Sequence, residues 1–194
     1  MDPVRRVGCG TLLVGCLGTG LWATQALARD IPNDGQHSVA KFQLDLPLGR
    51  ELDGQFPLMK TEWLPQADGR WRVAVSLPTE DVKIPGRPQY TRIMRGKMFF
   101  DSLHHPRVHF LSDAFGAPLL TTGGAMSGVM EIRGVKRRQT LRLAPSACRP
   151  PVPRLCVIEV QGEVSRAGYG MTSLKSVVGD AVKFRLRVVH GAES

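Results

Sequence analysis

Three histidines lie close together at His104, His105 and His109 and form the cluster that could bind a metal ion. Zinc needs three or four ligands that converge on one point. His104 and His105 are adjacent, so in an extended chain their side chains point in opposite directions. His109 shares a strand face with Arg107, and that cation disfavours a second positive charge. We interpret the cluster as polar surface and predict no metal site.

Catalytic motifs are also missing from the sequence. There is no nucleophile elbow, zinc-hydrolase helix, phosphate-binding glycine loop or dinucleotide fingerprint. Ser165 and Ser173 have no base near them in sequence, and no two carboxylates form a close catalytic pair. The members of a spatial triad can be distant along a chain, so a lipid-modifying enzyme stays as a minor alternative. We predict a protein with no catalytic residues and no cofactor.

The first 28 residues have the pattern of a cleaved export signal. Arg5 and Arg6 precede an apolar run at 11–23, and the small residues that signal peptidase reads follow at 26–28. The run is shorter than the roughly 20 apolar residues that a membrane-spanning helix needs. We predict cleavage after Ala28, a periplasmic protein, and one domain over residues 29–194. A retained anchor is an alternative.

Cysteine usage agrees with export. Cys9 and Cys16 lie in the predicted leader, although the sequence ending at Cys16 also resembles a lipoprotein processing site, with Cys16 lipidated. Cys148 and Cys156 flank a proline-rich loop, and in an oxidising compartment such a pair predicts a disulfide. Two free thiols or a metal site are the alternatives, but a metal site would need further soft ligands and none is apparent.

The chain is basic, with a formal net charge of +9 that falls to +8 when Asp2, Arg5 and Arg6 leave with the leader. Such a charge is compatible with nucleic acid, an anionic membrane surface or an anionic ligand head group. The basic residues alternate with apolar ones, without a run of five or an aromatic RNA-binding motif. We therefore favour a solvated cationic outer face and no nucleic-acid partner, and retain a transient contact with a membrane surface.

The clearest structural pattern is a strand near the end of the chain, where Val182, Phe184, Leu186 and Val188 alternate with three cations. One apolar and one charged face are typical of an antiparallel sheet around a core. Similar short segments separated by glycine-containing turns predict a sandwich or barrel. Gly134 is predicted to close a tight hairpin, and 89–97 has helical spacing. The predicted strands are 39–46, 55–63, 70–77, 107–112, 128–133, 139–144, 156–166 and 181–189.

Three blocks of residues resemble the YceI-like family, whose members are periplasmic, lipocalin-like barrels that hold a polyisoprenoid chain. The blocks are MFFD with HPRVHF at 98–110, MEIRGV with QTL at 130–141, and SRAGYGMT with VVGDAV at 165–182, and a weaker fourth match is HSVAKF at 37–42. The family usually has an acidic residue where this chain has Gly168. The resemblance implies an all-β, antiparallel lipocalin-like barrel of about eight strands with one or two short helices.

It also implies the function: a carrier that holds a long-chain isoprenoid or another apolar lipid inside the barrel. The residues expected to line the lumen are Phe99, Phe100, Phe110, Met130, Ile132, Tyr169 and Met171. A weaker hypothesis assigns an anionic head group to Arg133, Lys136, Arg137 and Arg138. The same apolar residues could instead fill a solid core, in which case the protein is an interaction module that acts at a membrane or with a redox partner. The sequence specifies neither the ligand nor the oligomeric state.

Overall fold

The computed structural model describes residues 38–149 and 156–190, which form nine strands and two short helices. The predicted leader, its cleavage site and Cys16 lie outside these residues. The helices are α1 (Pro88–Arg95) and α2 (Pro118–Thr122). The strands are β1 (Val39–Leu46), β2 (Arg50–Phe56), β3 (Lys60–Pro65), β4 (Trp71–Pro78), β5 (Arg107–Ser112), β6 (Gly124–Ile132), β7 (Val135–Leu143), β8 (Cys156–Ser165) and β9 (Ala181–His190).

All nine strands belong to one antiparallel sheet, in the order β2-β1-β9-β8-β7-β6-β5-β4-β3. The sheet curls into a lipocalin-like half-barrel, so the predicted all-β fold is confirmed. The prediction of one strand over 55–63 is wrong. Pro57 has no backbone N–H to give to a ladder, and β2 ends at Phe56 before β3 begins at Lys60. This break raises the strand count from about eight to nine.

The alternating pattern of β9 has the expected consequence. Leu186 and Val188 are buried against the core, and Lys183 and Arg185 are exposed on the outer face. Across the β8–β9 pair, Lys183 lies opposite Glu163 and Arg187 lies opposite Glu159. Cross-strand pairs of opposite charge stabilise a sheet modestly. These pairs give two of the three cations of β9 a structural role on the outer face, whereas Arg185 lies opposite Gln161.

The two edge strands, β2 and β3, are not paired with each other in the described part of the chain. The link 57–59 nevertheless holds the end of β2 within about 14 Å of the start of β3, the longest reach of so few residues. On its free side, β2 makes one isolated bridge, in which Gln55 and Lys83 exchange backbone hydrogen bonds of 2.9 and 2.8 Å. The curled sheet is therefore closed by a short covalent link and one bridge.

Four connections lie at one end of the half-barrel. The β4–β5, β6–β7 and β8–β9 connections share this end because alternate connections of an antiparallel sheet do so. The β1–β2 connection joins them because Leu44, near the end of β1, pairs with Val182, near the start of β9. We call this end the capped end, and it consists of residues 47–49, 79–106, 133–134 and 166–180. Contacts join these connections. Gly179 donates a backbone hydrogen bond of 2.8 Å to the Asp45 carbonyl, and the His105 ring lies beside Gly134.

The hairpin between β6 and β7 shows how the sequence builds this end. Ile132 pairs with Val135, so only Arg133 and Gly134 form the turn. Their φ angles are 53° and 73°. A two-residue hairpin turn of type I′ requires this left-handed backbone at both residues. Glycine adopts it without strain, as the sequence predicted for Gly134.

Candidate functional site

A cavity of about 80 Å³ lies inside the half-barrel, and its lining is apolar apart from Lys41. The inner faces of the strands supply most of the wall, and Phe100 reaches it from the connection between β4 and β5. The lining residues are Ala40, Lys41, Phe42, Phe56, Val75, Leu77, Phe100, Val108, Phe110, Met130, Ile132, Val164, Val182, Phe184 and Leu186.

A second cavity of about 30 Å³ lies beside the first, and Val75, Phe110 and Leu186 line both. Trp63 and Leu120 belong to the wall of the smaller one only. The two cavities are therefore parts of one apolar interior, divided by shared side chains. A ligand in this interior would meet hydrocarbon and aromatic rings, an environment that favours burial of apolar surface.

Three phenylalanine rings extend across the inner wall, each with its tip over a glycine of the adjacent strand. A methyl group built on Gly54 would lie 2.1 Å from the Phe42 ring, and one on Gly162 would lie 2.4 Å from the Phe184 ring. A methyl group on Gly128 would lie 2.7 Å from the Phe110 ring. The glycines thus make room for rings that would otherwise project into the interior. Sequence reasoning missed this arrangement, although an isolated glycine within a strand pattern was an available signal.

Phe42, Phe56 and Phe100 form an aromatic cluster at the cavity wall. Their ring centroids are 5.4 to 6.3 Å apart, in tilted and edge-to-face geometries that aromatic pairs prefer. Phe42 and Phe56 come from β1 and β2, and Phe100 comes from the capped end. The cluster therefore links the capped end to β2, one of the two edge strands of the sheet.

The structure divides the seven predicted lumen residues into two groups, although all seven are buried. Four of them line the larger cavity, namely Phe100, Phe110, Met130 and Ile132. The other three pack in the capped end instead, namely Phe99, Tyr169 and Met171. Each of these three contacts a residue that sequence reasoning did not single out, the buried Arg166, through the Phe99 ring, the Met171 carbonyl and the Tyr169 backbone N–H.

Arg166 is 1% exposed and organises the connection between β8 and β9. Its Nη1 donates to the carbonyl oxygens of Met171 and Ser173 at 2.6 and 2.7 Å, while Nη2 and Nε donate to those of Val178 and Gly179 at 2.8 Å each. The sequence signal was present, because Arg166 continues the inward-facing register of Val160 and Val164 on β8.

Phe99 packs against this guanidinium, and Tyr169 joins the same connection to β7. The Phe99 ring centroid lies 5.9 Å from the Arg166 Cζ, a cation–π distance. The Tyr169 hydroxyl accepts a hydrogen bond of 2.9 Å from Gln139 Nε2 of β7, and burial raises the pKa of this phenol. The inside of the capped end therefore holds a buried cation and two buried aromatic rings.

The wall is weakest between β7 and β8 on the side of the capped end. Only Arg142–Gln161 and Leu143–Val160 are paired along these two strands, whereas the β8–β9 ladder runs the whole length of β8. Nearer the cap the two sides are joined by side chains, since Arg137 Nε donates to the Gly168 carbonyl at 2.6 Å. Backbone pairing gives way there to this contact and the Gln139–Tyr169 hydrogen bond, both of which side-chain movement could open.

The four basic residues predicted to bind a head group lie on or next to the β6–β7 hairpin, and none lines either cavity. Arg133 Nη1 donates to the Gly170 carbonyl at 3.2 Å, and Arg137 lies at the weak junction just described. Lys136 and Arg138 pair with acidic side chains, Glu131 at 3.6 Å and Asp113 respectively. Arg137 is thus the member of this set that lies nearest to a discontinuity in the wall.

The three histidines do not converge. His104 contacts the Asp101 carboxylate at 3.0 Å, His105 lies beside Gly134, and His109 is exposed on β5. Across residues 38–149 and 156–190, no group of three or more His, Cys, Asp or Glu side chains is arranged to hold a metal ion. Within the same residues, none of the helices has the length and apolar character needed to span a bilayer.

The predicted disulfide is present. Cys148 and Cys156 are bonded, with their Cα atoms 5.5 Å apart, at the point where the chain leaves the β7 side and enters β8. Of the alternatives left open by the sequence, free thiols and a metal site at this pair are therefore wrong.

The fold and its interior define a lipocalin-like, all-β protein with an apolar cavity enclosed by one curled sheet. The family model for the YceI-like domain matches residues 33–190, and the chain belongs to that family. The resemblance noted in the sequence is confirmed. A comparison with curated proteins gave no match.

Solved structures with the same fold share little sequence with this chain. Burkholderia cenocepacia BcnA is 16% identical, with a TM-score of 0.66, over 78% of this chain and 95% of its own. A polyisoprenoid binding domain from Saccharophagus degradans is 14% identical, with a TM-score of 0.60, over 82% and 97% respectively. The Campylobacter jejuni YCEI protein is 14% identical, with a TM-score of 0.55, over 73% and 85%. These likenesses support the fold.

Proposed function

We propose that the protein is an exported carrier that sequesters a polyisoprenoid, or a lipid with a similarly long apolar chain, inside the half-barrel. The observation that carries the proposal is the lining of the two adjoining cavities, which is apolar apart from Lys41 and Thr61. Burial of hydrocarbon there is favourable by roughly 25 cal/mol per Å² of apolar surface. The description of the Saccharophagus degradans relative as a polyisoprenoid binding domain agrees with this ligand class.

The interior must widen to accept such a chain. A cavity of about 80 Å³ is smaller than the roughly 150 Å³ cavity that takes up benzene. Two features favour widening: β2 and β3 form no ladder with each other in the described residues, and the pairing of β7 with β8 is short. Met130 in the wall is a flexible side chain that can repack around a ligand.

Sequestration without bond-making is the role that the interior supports. Its lining offers hydrocarbon and aromatic surface, whereas catalysis needs a convergent acid, base or nucleophile. Export to the periplasm is part of the proposal, and the Cys148–Cys156 disulfide supports it because disulfides persist in oxidising compartments.

Binding of a polyprenol to delipidated protein, measured by native mass spectrometry, tests the proposal. Ala40 lines the larger cavity. Ala40→Leu places three more carbon atoms in that cavity, where they occupy space that the ligand needs, and should weaken binding at least tenfold. Ala74→Leu is the matched control, because Ala74 lies on β4 between the inward-facing Val73 and Val75 and faces outward.

A one-to-one polyprenol complex that Ala40→Leu weakens and Ala74→Leu leaves unchanged would support the carrier. Lipid extraction of the protein purified without detergent gives an independent readout, with a stoichiometric isoprenoid expected. No ligand in the extract, together with no binding on addition of polyprenol, would contradict the proposal and favour an interaction module with a filled interior.

A further inference from the structure

The capped end exposes an unusual set of apolar side chains. Leu48 is 96% exposed and Leu103 is 86% exposed, although leucine is a residue that folding normally buries. Four more large apolar residues on the same connections, or at the first position after them, are also exposed: Met98, Val135, Leu174 and Val177. Tyr90, on α1 of the 79–106 connection, is exposed as well, and elsewhere in the described chain the exposed apolar residues of this size are Leu58 and Val129. The exposure is thus concentrated at one end.

These side chains belong to neighbouring connections and form one surface. The β1 end is joined to the β8–β9 connection through the Asp45–Gly179 hydrogen bond. That connection is joined to the β6–β7 hairpin through Arg137 and Gly168, and the hairpin contacts the 79–106 connection where His105 lies beside Gly134. We call this surface the apolar rim.

The backbone at the rim is held in conformations that folding alone does not favour. The described chain has four non-glycine residues with positive φ, and each of the four connections carries one of them, namely Leu48, Asp101, Arg133 and Leu174. Left-handed backbone is unfavourable for residues with a Cβ atom, and such strain tends to occur at functional sites. The two-residue hairpin turn accounts for the positive φ of Arg133, whereas Leu48 and Leu174 combine left-handed backbone with an exposed apolar side chain.

The charges of the rim favour an anionic partner. In the four connections, the basic side chains that are not buried outnumber the acidic ones: Lys83, Arg87, Arg92, Arg95, Lys97, Arg133 and Lys175 against Glu80, Asp81, Asp101 and Asp180. Lys136 and Arg137 follow directly in β7. Apolar tips among cations match the interface of a bilayer that contains acidic lipid, where side chains enter the acyl boundary and cations meet the head groups.

We infer that the apolar rim docks on the surface of a bilayer that contains anionic phospholipid, with Leu48 and Leu103 inserted. This inference goes beyond the proposed lipid cargo and does not depend on it, because it rests on the outer surface of the cap. It does place the interior close to a membrane, since Phe100 and Ile132 connect the cap to the larger cavity.

Flotation of the purified protein with lipid vesicles tests the docking. Binding is expected to vesicles of phosphatidylcholine with phosphatidylglycerol, to be much weaker with phosphatidylcholine alone, and to fall at high salt because surface charges are screened. The double variant Leu48→Asn, Leu103→Gln should lose at least about tenfold in apparent affinity. Asparagine tolerates the left-handed backbone at position 48, so this variant should fold well.

Matched controls distinguish the rim from general changes in polarity or charge. Leu58→Gln with Val129→Thr removes exposed apolar surface elsewhere and should leave flotation unchanged. Lys97→Gln with Lys175→Gln should weaken binding about tenfold, as expected for cations near an acidic surface. Arg142→Gln with Arg185→Gln removes the same charge from the outer wall and should have little effect.

The docking surface is wrong if the rim variant floats like the Leu58/Val129 control, or if wild-type protein floats with neither kind of vesicle. Concentration-dependent self-association that the rim variant abolishes, without vesicle binding, would also overturn it in favour of a second copy of the chain. Polyprenol loading measured on the same variants should stay unchanged, so failure of docking is distinguishable from failure of the carrier function.

Discussion

Arg166 places a permanent positive charge inside the cap without a carboxylate hydrogen-bonded to its guanidinium among the described residues. A buried charge is costly unless it is fully hydrogen-bonded. Four backbone carbonyls of the β8–β9 connection supply that compensation, and in return the planar guanidinium fixes the path of the connection. Lysine could not do the same, because its ammonium is a compact point charge without the fork of donors.

Arg166→Met should lower the free energy of unfolding by about 3 kcal/mol or more, because buried carbonyls lose their donor. Urea denaturation followed by far-UV circular dichroism measures this loss. Arg185→Met on the exposed face of β9 is the control and should change stability by no more than about 0.5 kcal/mol. A loss below about 1 kcal/mol in Arg166→Met would show that the carbonyls find other partners.

The β7–β8 junction is the part of the wall with the least backbone pairing, and a disulfide supports it. Its ladder contains two residue pairs, and the Ala144 N–H adds one backbone hydrogen bond of 2.9 Å to the Glu159 carbonyl. The Cys148–Cys156 disulfide lies just beyond these contacts, and the Cys148 side is buried. The bond therefore holds together two strands that diverge towards the capped end.

Cys148→Ala with Cys156→Ala should cost about 2–3 kcal/mol, the chain-entropy value for a loop with a sequence separation of 8. Urea denaturation measures the effect: the midpoint of the variant should equal that of wild-type protein in a reducing agent. If the variant matches oxidised wild-type protein instead, the ladder alone is sufficient to hold the junction.

For the whole molecule, three carboxylates link stability to acid pH. The Arg70 backbone N–H lowers the pKa of Asp68, the contact with His104 lowers that of Asp101, and the hydrogen bond with Ser165 lowers that of Asp180. A depressed folded-state pKa adds stability above the unfolded-state value of about 4, and this stability is lost as pH falls through the folded-state pKa. The folded protein should therefore lose stability in acid.

Substitution of these three aspartates by asparagine should flatten the fall of Tm with pH below about pH 4, where the wild-type carboxylates take up protons on unfolding. Thermal unfolding from pH 7 to pH 2 measures the two slopes. Above about pH 6 the slopes should be the same for both proteins, which is the internal control. An unchanged acid slope in the triple variant would assign acid sensitivity to other groups.

The sequence by itself determined the all-β class, the inward face of β9, the hairpin at Gly134 and the cysteine pair, because each depends on local periodicity or turn chemistry. Tertiary structure decided which buried residues line the cavity, since Phe100 and Tyr169 are both buried but belong to different environments. It also decided the role of Arg166 and of the glycines beneath the phenylalanine rings. Those roles depend on contacts between segments that the antiparallel sheet brings together, and no local pattern records which segments meet.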